Sequence, residues 1–202
     1  FQWAQELGEA VAYLHSQTPP IIHSDIKPAN IILTPEGHIC LIDFNISIVI
    51  DSAMKATLGI SKGYSSPEQY RDVKQVQTYY MTAGMGQVTI SIDRRSDIYS
   101  LGCVLYHLLS GSPPDVNFNT RLPAGEIPGV SEGFGFIIDK MIEYEPKDRY
   151  QTGREYLDAV NNCYKLDARY IVHKRREKAL FAASLGMFLV GSVLVGSGIR
   201  QT

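Results

Sequence analysis

A mainly helical α+β fold with one small β-hairpin, plus one transmembrane helix, is the fold class this sequence predicts. Three observations predict it. Apolar residues recur at helical spacing in several separate stretches. Two short apolar runs, Ile31-Ile32-Leu33 and His38-Ile39-Cys40-Leu41-Ile42, flank the turn Thr34-Pro35-Glu36-Gly37 and read as paired strands. From Ala179 to Ile199 there is no charged residue and no proline. That is close to the roughly 20 residues a helix needs to cross a bilayer core.

Taken in chain order, the first element is an amphipathic helix with Trp3, Leu7, Ala10, Val11 and Leu14 on one face. The run Thr18-Pro19-Pro20 stops it. Because Phe1 lies inside this helical pattern with no initiator Met, the chain reads as a fragment. Ile21-Ile22 lead into a polar loop, His23 to Asn30, and then into the hairpin. A long irregular segment is expected from Asn45 to about Arg95, where Gly and Ser punctuate the chain. Helical pattern resumes at Asp97 and runs through Tyr99, Leu101, Val104, Leu105 and Leu108 to a stop at Gly111-Ser112-Pro113-Pro114. Two further helices fit Gly133–Tyr144 and Gly153–Tyr164. The domain plan is therefore a lobe over 1–165, a basic segment over 166–178 and a membrane span over 179–199. Lys174, Arg175, Arg176 and Lys178 face only Glu177 in that basic segment, which places the lobe on the cytoplasmic side. The span gives the chain a membrane-lipid partner, and the small pair Ser192 and Gly196 allows a homodimer through it.

Composition narrows the function classes. The 202 residues carry 19 Lys+Arg against 21 Asp+Glu, a net charge of −2, with 45% hydrophobic residues. A disordered chain is excluded, and no basic face argues for nucleic acid as a partner. Three widely spaced cysteines, Cys40, Cys103 and Cys163, make neither a zinc motif nor a disulfide framework. Mean hydropathy is −0.07, an average over two chemically different parts.

The hairpin brings oxygen ligands together. With Glu36-Gly37 as a two-residue turn, Asn30 is expected opposite Asp43. Asp25 and Lys27 sit on the tight loop just before, so two acids, an amide oxygen and an amine converge at one end of the hairpin. Oxygen donors of this kind suit Mg²⁺, and the amine beside them suits phosphate chemistry.

These residues resemble protein kinases. His23-Ser24-Asp25-Ile26-Lys27-Pro28-Ala29-Asn30 is similar to the kinase catalytic loop H-R-D-x-K-x-x-N. Asp43-Phe44-Asn45 resembles D-F-G, Ser66-Pro67-Glu68 resembles A-P-E, and Asp97–Gly102 resembles the helix behind the catalytic loop. They occur in the family's order and cover about residues 1–165, the large lobe. The basic segment and span extend the likeness to bacterial eukaryotic-like Ser/Thr kinases, and hence to a single-pass protein of the bacterial plasma membrane acting in signalling. The resemblance implies ATP and Mg²⁺ as cofactors and protein Ser/Thr hydroxyls as acceptors. It assigns Asp25 to orient and deprotonate the acceptor, Lys27 to the transferring phosphoryl group, and Asn30 and Asp43 to the metal. Glu68 with Arg149 would form a buried ion pair. Asp97 would bond the catalytic-loop backbone or simply cap its helix. Ser61 falls where Ser/Thr kinases carry a hydroxyl near the catalytic Asp and Lys.

Departures from the family pattern matter as well. Ser24 replaces the H-R-D arginine, so activity is expected to be independent of activation-loop phosphate at Thr57 or Ser61. Asn45 replaces the D-F-G glycine, which a residue tolerant of positive φ can do. The segment 71–92 is longer than usual and reads as a surface insertion. Neither Gly84-Met85-Gly86 nor Gly133-Phe134-Gly135 is a nucleotide loop, and no strand lysine can be placed, so the small lobe is absent and the isolated chain is expected to be inactive. Two alternatives stand beside the kinase reading: an aminoglycoside-type small-molecule phosphotransferase and a membrane-anchored pseudokinase scaffold.

Overall fold

The structure is a computed structural model that describes residues 1–43, 48–49, 60–82, 91–115 and 121–167, with the single positions 172, 176 and 180. Its helices are α1 (Gln2–His15), α2 (Pro67–Met81), α3 (Arg94–Ser110), α4 (Glu132–Met141) and α5 (Gly153–Asn161). Its strands are β1 (Ile21–Ile22), β2 (Ile31–Leu33), β3 (Ile39–Leu41) and β4 (Ile48–Val49). Both sheets are two-stranded and antiparallel, β1 with β4 and β2 with β3.

The core is built around α3. From Ser96 to Tyr106 every residue of this helix is buried, so it has no solvent face along three turns. α1, α4, α5 and β1 all pack on it. Leu108, expected on its apolar face, is 52% exposed because the helix has by then left the core. α1 buries Ala4, Leu7, Gly8, Val11 and Leu14, a stripe at helical spacing that meets α5. Trp3 falls off this stripe and instead donates from Nε1 to Gly37 O at 3.1 Å, over the hairpin turn. Glu6 ties the same helix to the hairpin. Bonds from Gln2, the Ile39 amide and His38 hold its carboxyl well below the usual range, at about 2.

Two expectations about local structure are corrected. The hairpin pairs Ile31 with Leu41, Ile32 with Cys40 and Leu33 with Ile39. Thr34 N donates to His38 O at 2.7 Å, so the loop is the three residues Pro35-Glu36-Gly37, not two. Gly37 makes this possible with φ +88, the left-handed residue that three-residue hairpins need. The register shifts by one, and Asn30 O accepts from Ile42 N at 2.9 Å, so Asn30 faces Ile42 and Asp43 is the next residue along. The second correction is α2, whose 15 residues lie within the segment from Asn45 to Arg95 expected to be irregular. Pro67 fits its first turn, and buried Asp72 anchors the returning chain by accepting from Ser91 N, Ser91 Oγ and Ile92 N. The expected insertion over 71–92 is thus helical at its start, while 83–90 lie outside the described residues.

The membrane part of the fold class is corrected too. Among the described residues no helix is long and apolar enough to cross a membrane. The longest, α3, has 17 residues and carries Arg94, Arg95 and Asp97 in its opening turns. Apart from Leu180, the segment 179–199 lies outside the described residues, as do Phe44, Asn45 and Thr57.

Candidate active site

The site is assembled around the loop His23–Asn30, between β1 and β2. Asp25 is buried, and both of its carboxylate oxygens accept hydrogen bonds. Oδ1 accepts from Ser61 Oγ at 2.6 Å, and Oδ2 accepts from Lys27 Nζ at 2.7 Å and Asn30 Nδ2 at 3.1 Å. Lys27 Nζ also donates to Ser61 Oγ at 3.1 Å, so acid, amine and hydroxyl form a closed triangle. Asn30 closes the loop by donating to Asp25 O at 2.8 Å. Four residues singled out from the sequence, Asp25, Lys27, Asn30 and Ser61, therefore meet at one point.

The loop backbone is held from behind by α3. Asp97 Oδ2 accepts from His23 N and Oδ1 from Ser24 N, both at 2.8 Å. The helix itself is capped by Asp93, whose side chain accepts from Arg95 N at 2.8 Å, so Asp97 is not its cap. His15, at the end of α1, donates from Nε2 to Asp97 Oδ2 at 3.0 Å. A carboxylate with no solvent exposure thus has three donors, which satisfies its buried charge.

His23 links the loop to the hairpin. A carbonyl can only accept, so Nε2 carries the proton that bonds Ile42 O at 3.1 Å, and Nδ1 accepts from Asp25 N at 3.3 Å. Ile42 is therefore fixed at both backbone groups, its amide by Asn30 O and its carbonyl by His23. This delivers Asp43, exposed and with φ +66, to the end of the hairpin nearest the loop. Asp is among the few residues that adopt such a φ at low cost.

The donor set fits Mg²⁺. With Nδ2 committed to Asp25, Asn30 keeps its amide oxygen as an acceptor, and Asp43 adds a carboxylate. Mg²⁺ in phosphate chemistry is held by one or two such groups together with phosphate oxygens. No cluster of three or more His, Cys, Asp or Glu suited to a metal occurs among the described residues.

Further from the loop, Glu68 and Arg149 form a buried bidentate pair with 2.7 and 2.9 Å contacts. Arg149 also donates to the carbonyls of Glu143, Tyr144 and Arg95, and Ser96 Oγ donates to Glu68 Oε1. Burial pushes the Glu68 carboxyl up, but the Arg149 bonds and charge, with Ser96, outweigh it and hold the group below its ordinary value. The cysteines take no part: Cys103 is fully buried, and burial pushes its thiol up to about 12.

Sequence reasoning missed His15, Ser96 and Gln69, all buried polar groups that satisfy other residues. The one available signal for His15 was its place at the end of an otherwise apolar stripe.

Comparison with known proteins gives a consistent result. The family model described as the protein kinase domain matches residues 2–164. The probable serine/threonine-protein kinase PknB of Bifidobacterium longum is 32% identical over 162 residues, covering 74% of this chain and 22% of that protein. The serine/threonine-protein kinase PknB of Mycobacterium tuberculosis is 30% identical over 187 residues, covering 82% of this chain and 27% of that protein. The serine/threonine-protein kinase RUNKEL of Arabidopsis thaliana is 34% identical over 160 residues, covering 73% of this chain and 10% of that protein. The chain thus spans about a quarter of the length of the bacterial relatives it matches.

Proposed function

The chain belongs to the protein kinase family, and from that premise we propose that it is the catalytic lobe of an ATP- and Mg²⁺-dependent Ser/Thr protein kinase. The observation that carries this reading is the triangle of Asp25, Lys27 and Ser61, with Asn30 bonded to the same carboxylate. Asp25 would orient an acceptor hydroxyl at the Oδ1 that Ser61 now occupies, and would take its proton. Lys27 would leave its bond to Oδ2 and place its positive charge beside the transferring phosphoryl group. Asn30 and Asp43 would hold Mg²⁺, which supplies charge neutralisation at phosphate oxygens. The 202 residues contain no Gly-rich loop followed by a strand and no strand lysine in the kinase pattern, so residues outside them would cover the nucleotide.

Lys27, Ser66-Pro67-Glu68 and the Asp97–Gly102 helix favour a protein acceptor over an aminated sugar, and Lys27 with Ser61 favours Ser/Thr over Tyr. A direct test is phosphate transfer by the full-length polypeptide from γ-labelled ATP, with Mg²⁺, to a generic Ser/Thr protein acceptor or an aminoglycoside. Transfer to the protein that Asp25→Asn reduces at least a hundredfold supports the proposal. Preferred transfer to the sugar, or Mg·ATP binding with no transfer to any acceptor, overturns it in favour of the small-molecule enzyme or the scaffold.

A further inference from the structure

We propose that Gln69 is a positioning residue that fixes the Ser24 carbonyl and thereby the aim of the Asp25 carboxylate. The inference rests on the kinase reading of Asp25. It begins with the backbone: Ser24 has φ +66, a left-handed conformation that costs a non-glycine residue roughly 1–2 kcal/mol. Such a conformation persists only where the surroundings hold it. The Ser24 side chain supplies no hold, since its Oγ is buried without a hydrogen-bond partner. What holds the residue is a bond at each backbone group. Its N–H donates to Asp97 Oδ1 at 2.8 Å, and its carbonyl accepts from Gln69 Nε2 at 2.7 Å. The first bond comes from α3 and the second from α2, so two separate elements grip the residue that immediately precedes Asp25.

The geometry determines which way round the Gln69 amide sits. Oε1 accepts from Ser66 N at 2.7 Å, and a backbone N–H can only donate, so Nε2 must face the Ser24 carbonyl. The side chain is 2% exposed, and neither bond is open to competition from bulk water. Its neighbour Glu68 is locked to Arg149 by two charge-assisted bonds, which fixes the first turn of α2. Gln69 is therefore the connection from that locked turn to the catalytic loop. Without it the buried Ser24 carbonyl has lost this donor, and the peptide between Ser24 and Asp25 is held only by the 3.3 Å bond from Asp25 N to His23 Nδ1. Displacement of a catalytic group by about 1 Å can cost on the order of a hundredfold in rate.

The test uses Gln69→Leu and Gln69→Glu in the full-length polypeptide. Steady-state kinetics, amide exchange over residues 23–27, and thermal midpoint are measured for each. Gln69→Leu is expected to lower kcat at least tenfold with KM for ATP within twofold. Exchange over 23–27 should accelerate at least tenfold while α5 keeps its protection. Gln69→Glu keeps an acceptor for Ser66 N but sets a carboxylate against the Ser24 carbonyl. Its kcat relative to the parent should therefore be low at pH 8 and recover as pH falls, because a protonated carboxyl again donates to Ser24 O. Gln69→Leu should show no such recovery. Parental kcat and parental exchange over 23–27 in Gln69→Leu would overturn the proposal, as would acceleration spread evenly through the domain. If the parent transfers no phosphate, the kinase reading fails, and the exchange measurements alone then decide whether Gln69 holds Ser24.

Discussion

Each oxygen of the Asp25 carboxylate has its own set of donors, and the two sets differ in charge. The Oδ2 side faces the Lys27 ammonium and the Asn30 amide, while Oδ1 faces only the neutral Ser61 hydroxyl. In the proposed reaction an incoming acceptor hydroxyl would replace Ser61 at Oδ1 without uncovering a charge, so that oxygen would be the one to take up its proton. Ser61→Ala removes the hydroxyl that also holds Lys27 at 3.1 Å. It is expected to lower kcat about tenfold, the equivalent of one hydrogen bond to a charged group, with Ser61→Thr retaining most of the activity. Steady-state kinetics of the full-length variants on a protein acceptor check this. Asp25, Lys27 and Asn30 were legible in the sequence because the spacing of one short loop carries them. Gln69 and His15 were not, because their bonds go to a backbone carbonyl and to another side chain, and nothing in their residue type or neighbours marks those partners.

Among the elements, α4 shows how a misleading motif resolves into packing. Gly133-Phe134-Gly135 is the opening of this helix, capped by Ser131, and Gly135 faces the backbone of Gly125. A Cβ on Gly135 would overlap Gly125 N and Cα, which are main-chain atoms that cannot swing aside. Replacing Gly by Ala gains roughly 1 kcal/mol of helix propensity, whereas overpacking against a fixed neighbour costs about 1–3 kcal/mol. Overpacking wins here, and Gly135→Ala is expected to lower the thermal midpoint by about 2–6 °C, measured by calorimetry. The elements that periodicity located well are α1 and α5, whose apolar stripe meets the core, and α3, whose closely spaced apolar residues are buried all round. α2 escaped notice because its anchors are polar: Glu68, Gln69 and Asp72 are buried, while Lys74, Gln75, Gln77 and Thr78 are exposed. The hairpin register went wrong by one residue because Glu36-Gly37 fits a two-residue turn as well as the end of a three-residue one.

Across the whole molecule, the Glu68–Arg149 pair joins α2 to the segment between α4 and α5, 81 positions apart. Removing one partner leaves the other charged and buried, so Arg149→Met is expected to cost about 3–5 kcal/mol, and the double variant with Glu68→Gln less than the two single losses combined. Urea midpoints of the single and double variants measure this. The pair also gives stability a pH dependence of known sign. The folded Glu68 carboxyl lies below its ordinary value, so on acidification the unfolded chain takes up the proton first. Its contribution is complete above about pH 5 and is lost as pH falls through the folded value. Between pH 6 and pH 3 the parent should therefore lose more stability than the double variant.

The contact between α1 and α5 has a consequence for how the protein is made. Tyr156 donates to Ala4 O at 2.9 Å across 152 positions, and its ring fills the space beside Gly8. During synthesis at about 5–20 residues per second, α1 would leave the ribosome roughly ten seconds or more before α5 arrives to cover it. For that interval the stripe has β1, β3 and then α3 beside it but not α5, which makes the nascent chain a candidate for chaperone capture until Tyr156 emerges.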